Sequence, residues 1–365
     1  MKSSTDLPHF DIALLPVPKG TAALDPRQLG SIAQDAEAAL LRQGESENTL
    51  RSYRSALRYW AAWFAVRFQQ PIALPVSDAT VVQFIVDHAQ RLDPSGALTS
   101  ELPPDLDRVL VAHGFKAKPG PLGLSTLIHR VSVLSKAHQL QAVENPCAQP
   151  RVRELLAKTR RGYAKRGALP VKKPALTRQP LEAMLDTCDD SLAGLRDRAL
   201  LLFAFSSGGR RRSEVTAATM ENTRRDGDVF IFTLATSKSN QTGADRADNA
   251  KPIAGRAARA LAYWLAAAKI SAGPLFRRVR RGSVVGEPLS PSAVRDIVRK
   301  RAELAGLTGE YSAHSLRSGF VTEAGRQGIP LGDAMALTGH RSTGSLVGYF
   351  RSDNAVSRAA RLIDD

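Results

Sequence analysis

Three stretches of the chain set phosphate-binding and proton-handling side chains at short, regular spacings. In SSGGRRRSEV, Arg211 and Glu214 stand three residues apart, which on a helix puts them on one face. In AHSLRSG, His314 and Arg317 repeat that spacing. In GHRSTGSLVGYFR, His340 is followed nine residues later by Tyr349. Guanidinium forks match phosphate oxygens, and imidazoles exchange protons near neutral pH. No Gly-rich phosphate loop, paired-His metal motif or Ser-His-Asp signature accompanies them.

Singly, each fragment has a bland counterpart. Arg151 and Glu154 share the first spacing, His88 and Arg91 the second, and both pairs read as surface or core-edge residues. Tyr349 alone reads as a half-buried ring at a helix end. Arg211 alone is one of three solvated arginines, and His314 alone a core histidine. His340 is more distinctive, since among seven histidines only it has a tyrosine nine positions on. The information lies in the ordered set.

The elements that must position these groups fall into two halves. Residues 1–27 read as a loose tail and 28–43 as a helix stopped at Gly44. Leu50, Tyr53, Leu57, Trp60 and Phe64 then recur at steps of three and four, the stripe of a second helix. Arg51, Arg54 and Arg58 form the adjoining stripe, either a solvated face or a surface laid against phosphates. Asp78 is placed to cap a helix reaching about Arg91. Residues 92–124 are rich in Pro, Gly and Ser, with a short helix near 106–113. A long helix is predicted over 125–141, with Leu127, Val131, Leu134 and His138 on one face, and another over 150–162 with Pro150 in its first turn. This half is predicted to be all-helical, without strands.

Residues 151–173 carry nine basic side chains against the single acid Glu154: Arg151, Arg153, Lys158, Arg160, Arg161, Lys165, Arg166, Lys172 and Lys173. Gly162, Gly167, Pro170 and Pro174 make its second part an extended basic linker, and phosphate contact is the expected use of its charge. Beyond it, helices are predicted at 178–187, 192–206, 211–219, 256–269, 291–305, 314–327, 330–338 and 354–362. Val229–Ala235 is the clearest strand, with a return strand near 251–254. The fold class is therefore mainly α with a small antiparallel β-sheet. Its domains are a tail (1–27), a helical domain (28–163), a linker (164–175) and a site-bearing domain (176–365).

Composition narrows the partners. In 365 residues, 51 Lys and Arg against 35 Asp and Glu leave a net charge of +16, which favours a polyanion. The longest apolar runs, Ala199–Phe205 and Ala260–Ala268, fall far short of the roughly 20 residues of a spanning helix. Asp11 and several prolines interrupt any signal-peptide core. The two cysteines, Cys147 and Cys188, have neither metal-ligand spacing nor a disulfide framework and suit a reducing cytoplasm. Nucleic acid leads over membrane.

At this point SSGGRRRSEV, AHSLRSGFVTEAGRQG and MALTGHRSTGSLVGYFR together resemble the boxes of the tyrosine recombinases, the phage integrase superfamily, and most the short Cre-like members. The resemblance spans 175–365 closely and 45–165 more loosely, and PLFRRVRRGSVVGEPLSPSAVRDIV is similar to the Cre-type stretch before the second box. It implies a two-domain clamp on double-stranded DNA, made of a helical core-binding domain and an α/β catalytic domain. Arg211 and Arg317 would clamp the phosphate, and Tyr349 would attack it to leave a 3′-phosphotyrosine. His314 would accept a proton or bind phosphate, His340 would donate to a non-bridging oxygen, and Glu214 would brace the site. A lysine in the hairpin turn would protonate the leaving oxygen; Lys238 occupies that place, with Lys251 as the second choice. Because the covalent link conserves the bond energy, no ATP, metal or other cofactor is implied.

The resemblance further implies inverted-repeat sites, a free monomer that assembles as a homotetramer on two sites, and strand exchange through a Holliday junction. The segment Ala355–Ile363 would dock into a neighbouring subunit, and the protein would be cytoplasmic, on the nucleoid when DNA-bound. Two features depart from the family: 92–124 exceeds the usual connection, and Arg210 and Arg212 flank Arg211 where apolar residues are common. Arg211 is retained for its three-residue step to Glu214. The tail is too short for a separate arm-binding domain. Alternative readings are a catalytically silent sequence-specific DNA-binding protein and a type IB topoisomerase-like enzyme.

Overall fold

The computed structural model describes residues 46–168, 173–234, 247–340, 342–344 and 346. The tail, the helices expected at 28–43 and 354–362, Lys172, Lys238 and Tyr349 lie outside the described residues. The chain divides into two compact units at Pro170/Val171.

In the first unit, α1 (Glu47–Phe68) starts where the Ser46 side chain accepts from the Thr49 N–H, and it buries Ala56, Tyr59, Trp60, Trp63 and Phe64. The expected stripe is corrected here: Leu57 is exposed, because turning the helix inward on four aromatic rings buries more apolar area than Leu50 and Leu57 offer. At 100° per residue this places Arg51, Arg54 and Arg58, all exposed, on the face away from the core. α2 (Asp78–His88) is capped by Ser77 rather than Asp78, since the Ser77 hydroxyl takes the Thr80 N–H at 3.2 Å. Trp60 stacks on Phe84 at 3.7 Å, and the Trp63 indole donates to Asp87 at 3.0 Å.

His88, expected at a surface or core edge, is fully buried. Its Nδ1 donates to the Phe84 carbonyl, and its Nε2 accepts from the Tyr59 hydroxyl at 2.6 Å. The expectation of no strands also fails. Residues 92–124 are not plain loop: Arg91–Leu92 (β1) and Leu98–Thr99 (β2) pair antiparallel, followed by α3 (Pro104–Ala112). A buried Lys116–Asp107 ion pair at 2.5 Å closes the segment. α4 (Leu124–Leu140) and α5 (Pro150–Lys165) complete the unit. α5 outruns its predicted end at 162 because Tyr163 is buried, accepting from the Gln90 N–H and donating to the Leu122 carbonyl. Lys165 is therefore helical, not extended linker.

The second unit is built around α7 (Leu192–Ser206), whose residues 199–204 are all buried. α6 (Arg178–Asp186) precedes it and α8 (Arg212–Thr216) follows. Three antiparallel strands come next, β3 (Thr223–Asp226), β4 (Val229–Thr233) and β5 (Ala250–Ile253), in the order β3-β4-β5. α9 (Gly255–Ala267) packs on α7, and the Trp264 indole donates to the Leu275 carbonyl. A hairpin, β6 (Arg277–Arg280) and β7 (Val284–Pro288), leads into α10 (Pro291–Leu304), then α11 (Ala313–Arg326) and α12 (Leu331–Thr338). The architecture is mainly helical with small antiparallel sheets. No helix among the described residues is long and apolar enough to cross a membrane.

Candidate active site

The site forms where the turn after α7, the start of α11 and the end of α12 meet. The turn is Gly208-Gly209, with φ of +98° and +70°. A Cβ on Gly209 would lie 2.3 Å from the Arg317 Cα, and one on Gly208 would lie 2.5 Å from the Leu337 carbonyl oxygen. Only glycine allows this approach, in conformation as well as in space.

The turn distributes three consecutive arginines to three environments. Arg210 points into the protein and is 1% exposed, Arg211 is half-buried, and Arg212 is exposed. Arg211 caps α8: its backbone N–H donates to Glu214 at 3.1 Å, and its Nη1 pairs with the same carboxylate at 2.5 Å. Glu214, itself 4% exposed, thus fixes the direction of the Arg211 fork.

On α11, His314 and Arg317 lie one turn apart. The buried Arg317 guanidinium donates to the Gly209 carbonyl at 3.3 Å and the Thr338 carbonyl at 2.6 Å, with both His340 ring nitrogens within 3.4 Å. Gly339, at φ +70°, ends α12 and turns the chain so that His340 Nδ1 meets the Thr338 hydroxyl at 2.8 Å. Partial burial, then Arg317 and Arg211, hold His314 below the ordinary imidazole range. Burial, then Arg317, Arg211 and Arg210, push His340 down to about 4. Both rings are thus biased toward their neutral forms, in the field of the Arg317 and Arg211 guanidiniums. Such a site accepts an anion and can exchange protons with it.

Lys251 alternates with Pro252 on β5 and so faces inward with Ile253, 2% exposed. Its Nζ donates to the Ala336 carbonyl at 2.6 Å. Burial and Arg210, opposed by Asp248 and Glu214, bring it down to about 8. The structure thus brings together Arg211, Glu214, His314, Arg317 and His340, with Lys251 and Arg210 behind them. Arg210 was read from sequence only as a flanking residue, because nothing in a run of three arginines tells which one turns inward. Among the described residues, no group of His, Cys, Asp and Glu could hold a metal ion.

The basic residues of the first unit are mostly on the surface. Arg153, Arg160, Arg161 and Lys165 are exposed on α5, and Arg151 lies 3.9 Å from Asp78. Arg58 sits over the Phe115 ring and Arg51 donates to Asn48. Arg166 is engaged within its own unit, donating to the Gln90 carbonyl at 2.7 Å and lying over the Tyr163 ring. In the second unit, Lys173 is exposed and pairs with Glu310 at 3.6 Å.

The sequence model of the phage integrase family matches residues 174–355, which contain Arg211, Glu214, Lys251, His314, Arg317 and His340. An integrase/recombinase XerD homolog of Selenomonas ruminantium is 29% identical over 333 residues, covering 87% of each chain. The structure of the Tn1549 transposon integrase with transposon right-end DNA aligns over 90% of this chain and 96% of its own, at TM-score 0.55 and 13% identity. A lambda integrase dimer bound to a COC′ core site aligns over 89% and 95%, at TM-score 0.53 and 18% identity. At those identities the solved structures speak for a shared fold.

Proposed function

Since the chain belongs to the phage integrase family of tyrosine recombinases, we propose that it cleaves and rejoins double-stranded DNA at inverted-repeat sites through a 3′-phosphotyrosine. The observation that carries the reading is the convergence of Arg211, His314, Arg317 and His340 from three separate segments. The two guanidiniums would neutralise the non-bridging oxygens as charge builds on them in the transition state. The Tyr349 hydroxyl would give its proton to His314 while its oxygen bonds to phosphorus and the bond to the 5′-oxygen breaks. Lys238 would protonate that departing oxygen, and His340 would donate to a non-bridging oxygen. Reversal by a second strand's 5′-hydroxyl regenerates the tyrosine, so bond energy is conserved and neither ATP nor metal is required.

On this reading four protomers act on two sites and exchange strands in pairs through a Holliday junction, with the segment after Tyr349 docking between subunits. Arg51, Arg54, Arg58, Arg151, Arg153, Arg160, Arg161, Lys165, Arg166, Lys172 and Lys173 would contact phosphates. The test is a duplex built from the inverted repeat flanking the coding region and nicked beside the scissile phosphate. Wild-type protein is expected to form a denaturant-resistant DNA adduct that Tyr349→Phe abolishes. No adduct from wild type, or an adduct from Tyr349→Phe, would sink the reading.

A further inference from the structure

A helix ends with four carbonyls that have no partner inside it. At the end of α12 the Gly339 N–H takes the first, Met335, at 2.7 Å. The next three go to three buried cations, each from a different element: Lys251 of β5 to Ala336 at 2.6 Å, Arg210 of the glycine turn to Leu337 at 2.5 Å, and Arg317 of α11 to Thr338 at 2.6 Å. Cations complement the negative end of a helix, and here they are drawn in from as far as 127 positions away in sequence. Filling space does not account for this. Burying a guanidinium is costly, and the Arg210 Nε is left without a partner among the described residues, where an aliphatic side chain would incur no such loss.

We propose that Arg210 and Lys251 are positioning residues that seat the end of α12, and with it His340, against Arg317. The inference rests on the recombinase reading for its catalytic consequence, but not for the capping itself. Arg317 caps Thr338 and also faces the phosphate site, so docking of α12 and alignment of the Arg317 fork are one event. Arg210 and Lys251 would set how often that event is complete. Lys251 in this role holds a carbonyl and is not the acid for the leaving oxygen.

The experiment uses the full chain with Arg210→Met, Arg210→Lys, Lys251→Met and Lys251→Gln. Hydrogen exchange without DNA is expected to speed up over 331–340 by about tenfold in the two Met variants, the loss of one hydrogen bond from a charged donor. Exchange over 199–204 should stay unchanged, separating a loosened α12 from a weakened unit. On the nicked duplex the Met variants should bind as wild type but form adduct about tenfold more slowly, with Arg210→Lys restoring most of the rate. The Lys251→Met defect should be equal for an ordinary 5′-oxygen and a 5′-bridging sulfur, because a thiolate leaves without a proton. If either Met variant does not fold, Arg210→Lys and Lys251→Gln carry the same comparison with smaller effects. Unchanged exchange over 331–340, wild-type adduct rates despite faster exchange, or rescue of Lys251→Met by sulfur would each overturn the proposal. A wild-type protein without adduct would count against the recombinase reading, and the exchange arm would still decide whether the cations hold α12.

Discussion

Gly209→Ala tests whether the site depends on the contact between the glycine turn and α11. Two costs can be separated from the structure. The first is conformational: Gly209 has φ +70°, where an alanine loses about 1 kcal/mol. Gly227, in the turn between β3 and β4, has φ +57° and nothing within 4 Å of an added Cβ, so Gly227→Ala carries that cost alone. The second is positional. The Gly209 Cβ would stand 2.3 Å from the Arg317 Cα, and ordinary contact begins at 3.4 Å. The turn and α11 must therefore part by about 1.1 Å, a displacement of backbone that no rotamer can absorb. Arg317 donates to the Gly209 carbonyl across that contact, so its fork moves with it. A misplacement of about 1 Å costs on the order of a hundredfold in rate. The assay is single-turnover adduct formation on the nicked duplex, with thermal melting alongside. Gly227→Ala should melt slightly earlier and react normally, whereas Gly209→Ala should lose about two orders of magnitude. If the two variants react within about threefold of each other, under 1 kcal/mol, the site does not depend on this contact and the reasoning fails.

Other predictions concern charge. His88 is pushed down to about 3, by burial first, so acid protonates the unfolded chain before the folded one. The first unit should hold full stability above about pH 6.5 and lose it as pH falls, by about 2 kcal/mol at pH 5; acid titration of Trp60 and Trp63 fluorescence measures this, and His88→Gln should flatten it. Asp197 holds Arg301 at 2.8 Å and Arg196 at 2.9 Å inside the second unit, so Asp197→Asn should destabilise it in urea by about 3 kcal/mol through a buried arginine left without its counter-charge. Arg160→Ala should reduce the slope of log affinity against log salt by about 0.9 if it meets a phosphate, and an unchanged slope would assign it to the solvated face.

What the sequence discloses follows from whether a signal is local. The helices of the second unit were legible because their apolar periods and caps lie within single stretches: α7 spans Leu192–Ser206 and α10 Pro291–Leu304, each with a serine at its N-cap. β4 was legible from its β-branched and aromatic run, whereas β3 (TRRD) and β6 (RRVR) carry none and depend on their partners. The α1 stripe was misjudged because the choice of buried face is made by packing against α2 and α4, not by α1 alone. In the site, Arg211, His314, Arg317 and His340 were named by their words. The fate of Arg210 and the inward turn of Lys251 depend on carbonyls 127 and 85 residues away, beyond the reach of any spacing rule.

The stretch that enters the second unit runs directly along α11. The Leu176 N–H bonds to the Ser315 carbonyl at 2.8 Å, the Arg178 N–H to the Glu323 carboxylate, and Gly319 leaves room for the Leu176 backbone, which a Cβ would meet at 1.9 Å. Mechanically this is a leash tied to the helix that carries His314 and Arg317. Tension arriving through residue 173 meets α11 through these backbone contacts and the α7 core through the buried Leu176 side chain. A pull on this stretch is therefore passed to the helix that carries His314 and Arg317.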